Sequence, residues 1–396
     1  MGNPLQKLLS LSEPEKTARG LKHTPQEIFR QPTTWKKTYQ YCLERNPEIG
    51  DFLKNAGIGR RGTSSPTVFL VGAGSSDYVG RALTHLLRQR WCCEVHAVPS
   101  TDLLPDMDRY LIRGRDYLWI SFSRSGDSPE GVAVLDKALR TLPQVRHLVV
   151  TCSATGAMAE RCCGNSGSAL SLVLGEAVND RGLAMTSSFS NMVIAGQCLA
   201  HSESLESYAD TLECMVQLGD QVIGSAAEAA FSIAQRMLSR ACFVGLGALA
   251  AVADESALKL LELTAGKIHT ISQSTLGLRH GPMAGIDENT LFVQFLSNDP
   301  RRRNYDVDLL QEIGQKKLGG ARLIIIPGSE NSSTLAEYAV CLETPKDFRD
   351  EYRPPLDVIV GQLLGLFSSV RAELKPDQPS PNGTISRVVS GVAIYS

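Results

Sequence analysis

The chain repeats itself. Gly72-Ala73-Gly74 is matched by Gly245-Leu246-Gly247, Val95-His96-Ala97 by Ile268-His269-Thr270, and Leu118-Trp119-Ile120 by Leu291-Phe292-Val293, each pair 173 positions apart, while Leu148 meets Leu323 175 positions on. A preserved spacing of this size marks a duplicated structural unit. The matched stretches fall in short β-branched runs at 67–71, 94–98, 117–122 and 147–152, then at 242–245, 267–271, 291–296 and 322–327, with helical patterns between them. Strands that alternate with helices describe parallel sheets covered by helices, so the chain is expected to be α/β with two tandem domains. The expected division is a helical arm at 1–55, a first domain at 56–215, a second at 216–374 and a tail at 375–396 rich in turn formers. The connection between the domains is expected in the helical stretch 201–240, and Thr33 or Thr34 is the expected cap of the helix carrying Trp35.

Charge narrows the partners. A net charge of -2 over 396 residues gives no reason to expect nucleic acid, and the one dense basic run, Arg301-Arg302-Arg303, reads as a solvated loop after Pro300. The N-terminus lacks the continuous apolar core of a signal peptide and no stretch reaches the length of a membrane span, so a cytoplasmic protein is expected. Ten cysteines include the vicinal pairs Cys92-Cys93 and Cys162-Cys163, but none has zinc or redox spacing. They are expected to be reduced and mostly buried, with no metal site.

In a parallel sheet, ligands gather where strands end and helices begin. After the first strand, Gly72-Ala73-Gly74-Ser75-Ser76-Asp77 lacks the third glycine of a dinucleotide fingerprint, Asp77 standing there instead. Ser75 and Ser76 either meet a phosphorylated sugar or cap a helix. After the third strand, Ser123-Arg124-Ser125-Gly126-Asp127-Ser128 runs into Pro129, the strongest anion site in the sequence: Ser123, Ser125 and Ser128 hydroxyls, free amides and a helix N-terminus could grip a phosphate. The alternative is a loop whose serines only cap the helix. The second repeat has Leu296 opposite Ser123, and carries instead Lys259 and Glu262 on a helix and the turn His280-Gly281-Pro282. Glu262 is either an inward carboxylate suited to proton transfer or a surface partner of Lys259, and His280 either functional or buried and structural.

These residues, in this order, resemble the sugar-isomerase (SIS) family, in particular the isomerase half of glucosamine-6-phosphate synthase and, more closely, its AgaS-type galactosamine-6-phosphate deaminase/isomerase branch. Supporting stretches are His23-Thr24-Pro25-Gln26-Glu27-Ile28, Ala184-Met185-Thr186-Ser187-Ser188-Phe189, Glu262-Leu263-Thr264-Ala265-Gly266-Lys267, Arg279-His280-Gly281-Pro282 and Arg387-Val388-Val389. The match runs from about Val68 to Arg371, with no amidotransferase region ahead of it, so no glutamine-derived ammonia is expected. The resemblance implies two flavodoxin-like three-layer SIS domains and an enzyme that converts galactosamine 6-phosphate into tagatose 6-phosphate and ammonia. It implies Glu262 as the base that moves a proton between C2 and C1, His280 as the group that helps open the sugar ring, and Ser123, Arg124, Ser125 and Ser128 as holders of the 6-phosphate. Ser75, Ser76, Thr186 and Ser187 would line the sugar. No metal or organic cofactor is implied, and an oligomer of at least two chains is, because in such proteins the histidine often comes from a neighbouring subunit. The C-terminal tail would close the site. A regulatory, non-catalytic phosphosugar sensor is the alternative, separable by assaying Glu262→Gln. A nicotinamide oxidoreductase is a third reading, which a cofactor-binding test would exclude.

Overall fold

The computed structural model describes residues 3–328, 335–380 and 382–395; Met1, Gly2, Pro381 and Ser396, parts of the expected arm and tail, lie outside them. The chain divides into two compact units. One gathers Thr33–Asp180, Ser187–Leu212 and Ser386–Ser396, the other Met1–Pro32, Arg181–Thr186 and Glu213–Ile385. The helical arm is thus shared, its first 32 residues grouping with the later sheet.

The first unit holds β1 (Thr67–Gly72), β2 (Val95–Pro99), β3 (Tyr117–Ser123), β4 (Val145–Thr151) and β5 (Ala169–Val173) in the order β2-β1-β3-β4-β5. Every neighbouring pair is parallel. Successive side chains of a strand point to opposite faces. Phe69, Val71 and Trp119 therefore pack on Val134 and Ala138 of the Pro129–Thr141 helix, while Leu70 faces the Ser75–Trp91 helix, where a Cβ on Gly80 would lie 2.9 Å from the Leu70 Cβ. The Ser187–Ala200 helix comes closer still to its neighbour: a Cβ on Gly196 would stand 2.1 Å from a Leu83 methyl. Helix, sheet and helix make three layers.

The second unit holds β6 (Arg240–Gly245), β7 (His269–Ser274), β8 (Thr290–Phe295), β9 (Ala321–Pro327) and β10 (Tyr338–Leu342). Read from its β7 edge, the order is β7-β6-β8-β9-β10, again wholly parallel. This is the strand order of the first sheet and of flavodoxin-like folds. The repeat extends to backbone angles: Gly74 (φ 55°, ψ -128°) and Gly247 (φ 59°, ψ -127°) open equivalent helices, Ser75–Trp91 and Ala248–Leu263. One face of the second sheet packs Cys242, Val244, Phe292 and Ile324 against Leu309, Leu310 and Ile313. Leu309, Leu310 and Ile313 belong to the Pro300–Gln315 helix. The Ala248–Leu263 helix is itself covered by Pro354–Arg371, and a Cβ on Gly361 would lie 2.3 Å from the Ser256 hydroxyl.

Several expectations change. The helix carrying Trp35 begins at Gln31, placing Thr33 and Thr34 inside its first turn, because Pro32 is tolerated there and Thr34 instead accepts from Asn191. The triplet Arg301-Arg302-Arg303 is helical, since Asp299 caps the Arg302 amide at 2.9 Å and Pro300 starts the helix. The cysteines are all free, but Cys92, Cys163 and Cys341 are exposed rather than buried. Among the described residues no helix is long and apolar enough to cross a membrane.

Candidate active site

The carboxyl ends of β1 and β3 are neighbours in the first sheet, so the two hydroxyl-bearing loops that follow them meet at one edge. Ser75 and Ser76 are buried at the first two positions of the Ser75–Trp91 helix. Gly72 is indispensable behind them, because a Cβ there would come within 2.4 Å of the Ser76 carbonyl. Asp77, in place of the third fingerprint glycine, is buried and pairs with Arg81 at 2.8 Å.

The loop from Ser123 to Ser128 is braced from within. The Ser123 hydroxyl accepts from the Gly126 amide at 3.0 Å and the Ser125 hydroxyl from the Asp127 amide at 3.1 Å. A serine that accepts in this way keeps its own O–H to donate. Asp127 accepts from the Ala157 amide at 2.8 Å. Gly126 takes a φ of 72° against Gly156, where a side chain would strike the Ser125 carbonyl at 2.3 Å. Ser128 caps the Pro129–Thr141 helix by backbone alone, with no side-chain cap bond, so its hydroxyl is not committed to the helix end. Hydroxyls that keep a proton to donate, near a helix N-terminus, suit a phosphate dianion. Arg124 is different: its guanidinium is buried and donates to the main-chain carbonyl of Arg387.

Thr186 and Ser187, expected to line a sugar, are fully buried. The Thr186 carbonyl accepts from Gln362 at 3.2 Å, and the Ser187 carbonyl and hydroxyl accept from Asn191.

Glu262 occupies the last turn of the Ala248–Leu263 helix and accepts from the ammonium of Lys259. The pair foreseen at the surface is not a surface pair, because the Lys259 side chain is 1% exposed and also meets buried Glu255 at 3.5 Å. Glu262 keeps 23% exposure. It lines a cavity of about 530 Å³ with Lys267, Ser380, Asn382 and Thr384. His280, by contrast, is exposed rather than buried. It sits between two short 3-10 turns, before Gly281 at φ 125°, and its ring makes no hydrogen bond among the described residues. The preceding Arg279 fastens the turn to Asp308 and Glu312 at 2.8 and 2.6 Å.

Direction separates these two groups. The helix bearing Glu262 starts beyond the carboxyl end of β6 and runs back over about 24 Å at 1.5 Å per residue, ending near Lys267 and the start of β7. His280 follows the carboxyl end of β7. Within one chain, Glu262 and His280 therefore lie at opposite ends of the same sheet.

The SIS domain profile matches residues 236–366, the heart of the second unit. The D-galactosamine-6-phosphate deaminase AgaS of Escherichia coli is 33% identical over 94% of this chain and 95% of its own length. This chain belongs to the AgaS family. A solved structure from Clostridium novyi, 32% identical, superposes on it with a TM-score of 0.91 over 98% of both chains. The tagatose-6-phosphate ketose/aldose isomerase of Escherichia coli, 31% identical, gives 0.81 over 94% of this chain and 96% of its own.

One of the AgaS-type stretches, His23–Ile28, is scaffold. Asp377 accepts from the amides of Lys22, His23 and Thr24 and from the Thr24 hydroxyl. Glu27 accepts from the Arg181 amide at 2.6 Å. Gly182 fits against both, since a Cβ there would meet Thr24 at 2.8 Å and Glu27 at 3.0 Å. The His23–Ile28 stretch thus seats the segment leading to Thr186. Nothing in the residues around Asp377 announces this role, which it performs 353 residues away from Thr24.

Proposed function

We propose that this protein isomerises and deaminates an amino-sugar 6-phosphate, taking galactosamine 6-phosphate and water to tagatose 6-phosphate and ammonia. Membership in the AgaS family, with relatives matched over nearly their whole length, supports the reaction. The single structural observation that carries it is Glu262, a half-buried carboxylate set by a buried lysine at the wall of a cavity.

In the open-chain sugar the aldehyde is at C1 and the amine at C2. Glu262 takes the C2 proton as O1 is protonated, giving an enolamine, and returns it to C1 as the nitrogen gives up a proton, leaving a hydroxymethyl group at C1 and an imine at C2. Water adds to that imine and ammonia departs, giving the ketose. No electron is gained or lost overall, so the sequence of steps calls for acid–base groups and water alone. The Lys259 ammonium fixes the carboxylate's orientation. Ser123, Ser125 and Ser128 hold the 6-phosphate by hydroxyls, amides and the helix end. Ser75 and Ser76 face the sugar side of the same sheet edge. Thr186 and Ser187 serve as the packed base of the segment and not as open ligands. His280, exposed and far from the Glu262 of its own chain, serves the ring-opening step in a neighbouring copy, which makes the working form a homo-oligomer of at least two chains. Its setting is the cytoplasm, with no nucleic-acid partner, and its two SIS domains correspond to the two halves of the repeat.

Incubation with galactosamine 6-phosphate and glucosamine 6-phosphate, with ammonia and ketose phosphate measured in parallel, tests the reading. Ammonia and ketose formed in equal amounts from the galacto sugar are expected. Tight phosphosugar binding with no turnover by the wild-type protein would replace the enzyme by a sensor.

A further inference from the structure

The tail stretch beginning at Arg387 takes no part in the proton transfer proposed above, yet its first residue is gripped on three sides. The Arg387 Nε donates to the Asp180 carbonyl at 2.8 Å. Its Nη2 donates to the Asn179 side-chain oxygen. Its own main-chain carbonyl accepts from the guanidinium of Arg124, the second residue of the phosphate loop.

Both ends of this connection are fixed. Asp180 is buried and its carboxylate accepts from the amide and hydroxyl of Ser188, at 2.8 and 2.6 Å, in the first turn of the Ser187–Ala200 helix. At the other end the Arg124 carbonyl accepts from the Cys152 amide at 3.1 Å, just past β4. Arg124 is therefore held by its backbone to the sheet and by its side chain to the tail, and it stands between the two serines, Ser123 and Ser125, whose hydroxyls brace the loop. Donation from a guanidinium is a charge-assisted bond, stronger and more directional than a neutral one.

We infer that Arg387 is a positioning residue for phosphate binding: it locks Arg124, and through it the Ser123–Ser128 loop, in the conformation that receives the dianion. It touches no substrate atom. A loop ordered in advance binds without the cost of becoming ordered at the moment of binding. The inference rests on the reading that this loop holds the 6-phosphate.

The test measures the KM for galactosamine 6-phosphate, kcat, competitive inhibition by inorganic phosphate and the thermal midpoint, in the full chain and in Arg387→Ala, Arg387→Lys, Ser123→Ala and Ser125→Ala. Arg387→Ala is expected to raise KM and the inhibition constant of phosphate together by about tenfold, with kcat within about threefold of wild type. Arg387→Lys, which keeps the charge and a donor for the Asp180 carbonyl, is expected to recover part of the loss and provides the same readout if the alanine variant folds poorly. If the serine variants weaken phosphate and neither Arg387 variant does, the role of Arg387 is overturned and the phosphate loop stands. If neither serine variant changes phosphate inhibition, the loop reading falls and this inference with it. A fall in kcat and thermal midpoint with phosphate inhibition unchanged would mark Arg387 as structural only.

Discussion

The ammonium of Lys259 reaches the carboxylate of Glu262 one helical turn away, and the lysine that does so is wholly enclosed. Burying an ammonium is costly unless carboxylates surround it. Glu255, one turn to the other side at 3.5 Å, completes a row of acid, base and acid along one face of the helix. Such a row is poor evidence for stability, because an apolar packing would serve as well, and better evidence for a carboxylate that must point one way.

Glu262→Gln is isosteric and keeps the hydrogen-bonding shape while removing the base. Its kcat for ammonia release is expected to fall by about a thousandfold or more, with phosphosugar binding within about threefold of wild type. Equilibrium binding of substrate to the variant and single-turnover ammonia assays check both halves. Retained turnover would remove Glu262 from the chemistry.

Removing Lys259 should harm both folding and reaction. Lys259→Met leaves Glu255 enclosed without its counter-charge, and loss of one member of a buried pair costs about 3–5 kcal/mol. The double variant Glu255→Gln/Lys259→Met should recover much of that stability in urea melts. Activity should stay about a hundredfold down in the double variant, since Glu262 would still lack the group that orients it.

How much of this was legible in the sequence depended on burial. β1, β3, β4, β6, β8 and β9 are interior strands and read as largely apolar runs, and the shared offset marks the duplication. β5 and β10 are edge strands, only partly buried and with serine or alanine among their residues, and carry no strong pattern of their own, whereas β2 and β7, edge strands as well, are marked by the shared 173-residue offset. Residue type and spacing mark the Ser123 loop as an anion site but leave Glu262 and His280 open between functional and structural roles, and the resemblance to the SIS family is what assigns them to the chemistry. The burial of Lys259 is not legible, since the Pro354–Arg371 helix packs on the helix that carries it, a Cβ on Gly365 falling 3.0 Å from the Lys259 carbonyl, and nothing near Lys259 in the chain announces that helix.

The opposed placement of Glu262 and His280 makes a test by complementation possible. Glu262→Gln and His280→Ala chains, each inactive alone, are expected to regain activity when mixed through partial denaturation and refolding, because some assembled sites then combine an intact carboxylate from one chain with an intact histidine from another. At equal mixing in a dimer, about a quarter of wild-type activity follows from random pairing and one competent site per mixed pair. No recovery, with mixed assemblies demonstrated by differently tagged chains, would return both residues to a single chain.

His147 sets an acid limit on the first domain. It is buried in β4, its ring 5.6 Å edge-on from Trp119, and neither ring nitrogen makes a hydrogen bond among the described residues. Burial, with a smaller push from the adjacent Arg146, depresses its pKa to about 4. The unfolded chain, with an ordinary histidine near 6.5, binds the proton first as pH falls, so stability is complete above about pH 6.5 and drains away down to about pH 4. The loss over that window is at most about 3 kcal/mol from this residue. His147→Phe keeps the aromatic edge contact and has no proton to bind, so its urea midpoint is expected to change less between pH 7 and pH 4.5 than that of the wild type. Parallel pH dependence in the two proteins would shift the acid sensitivity to the carboxylates.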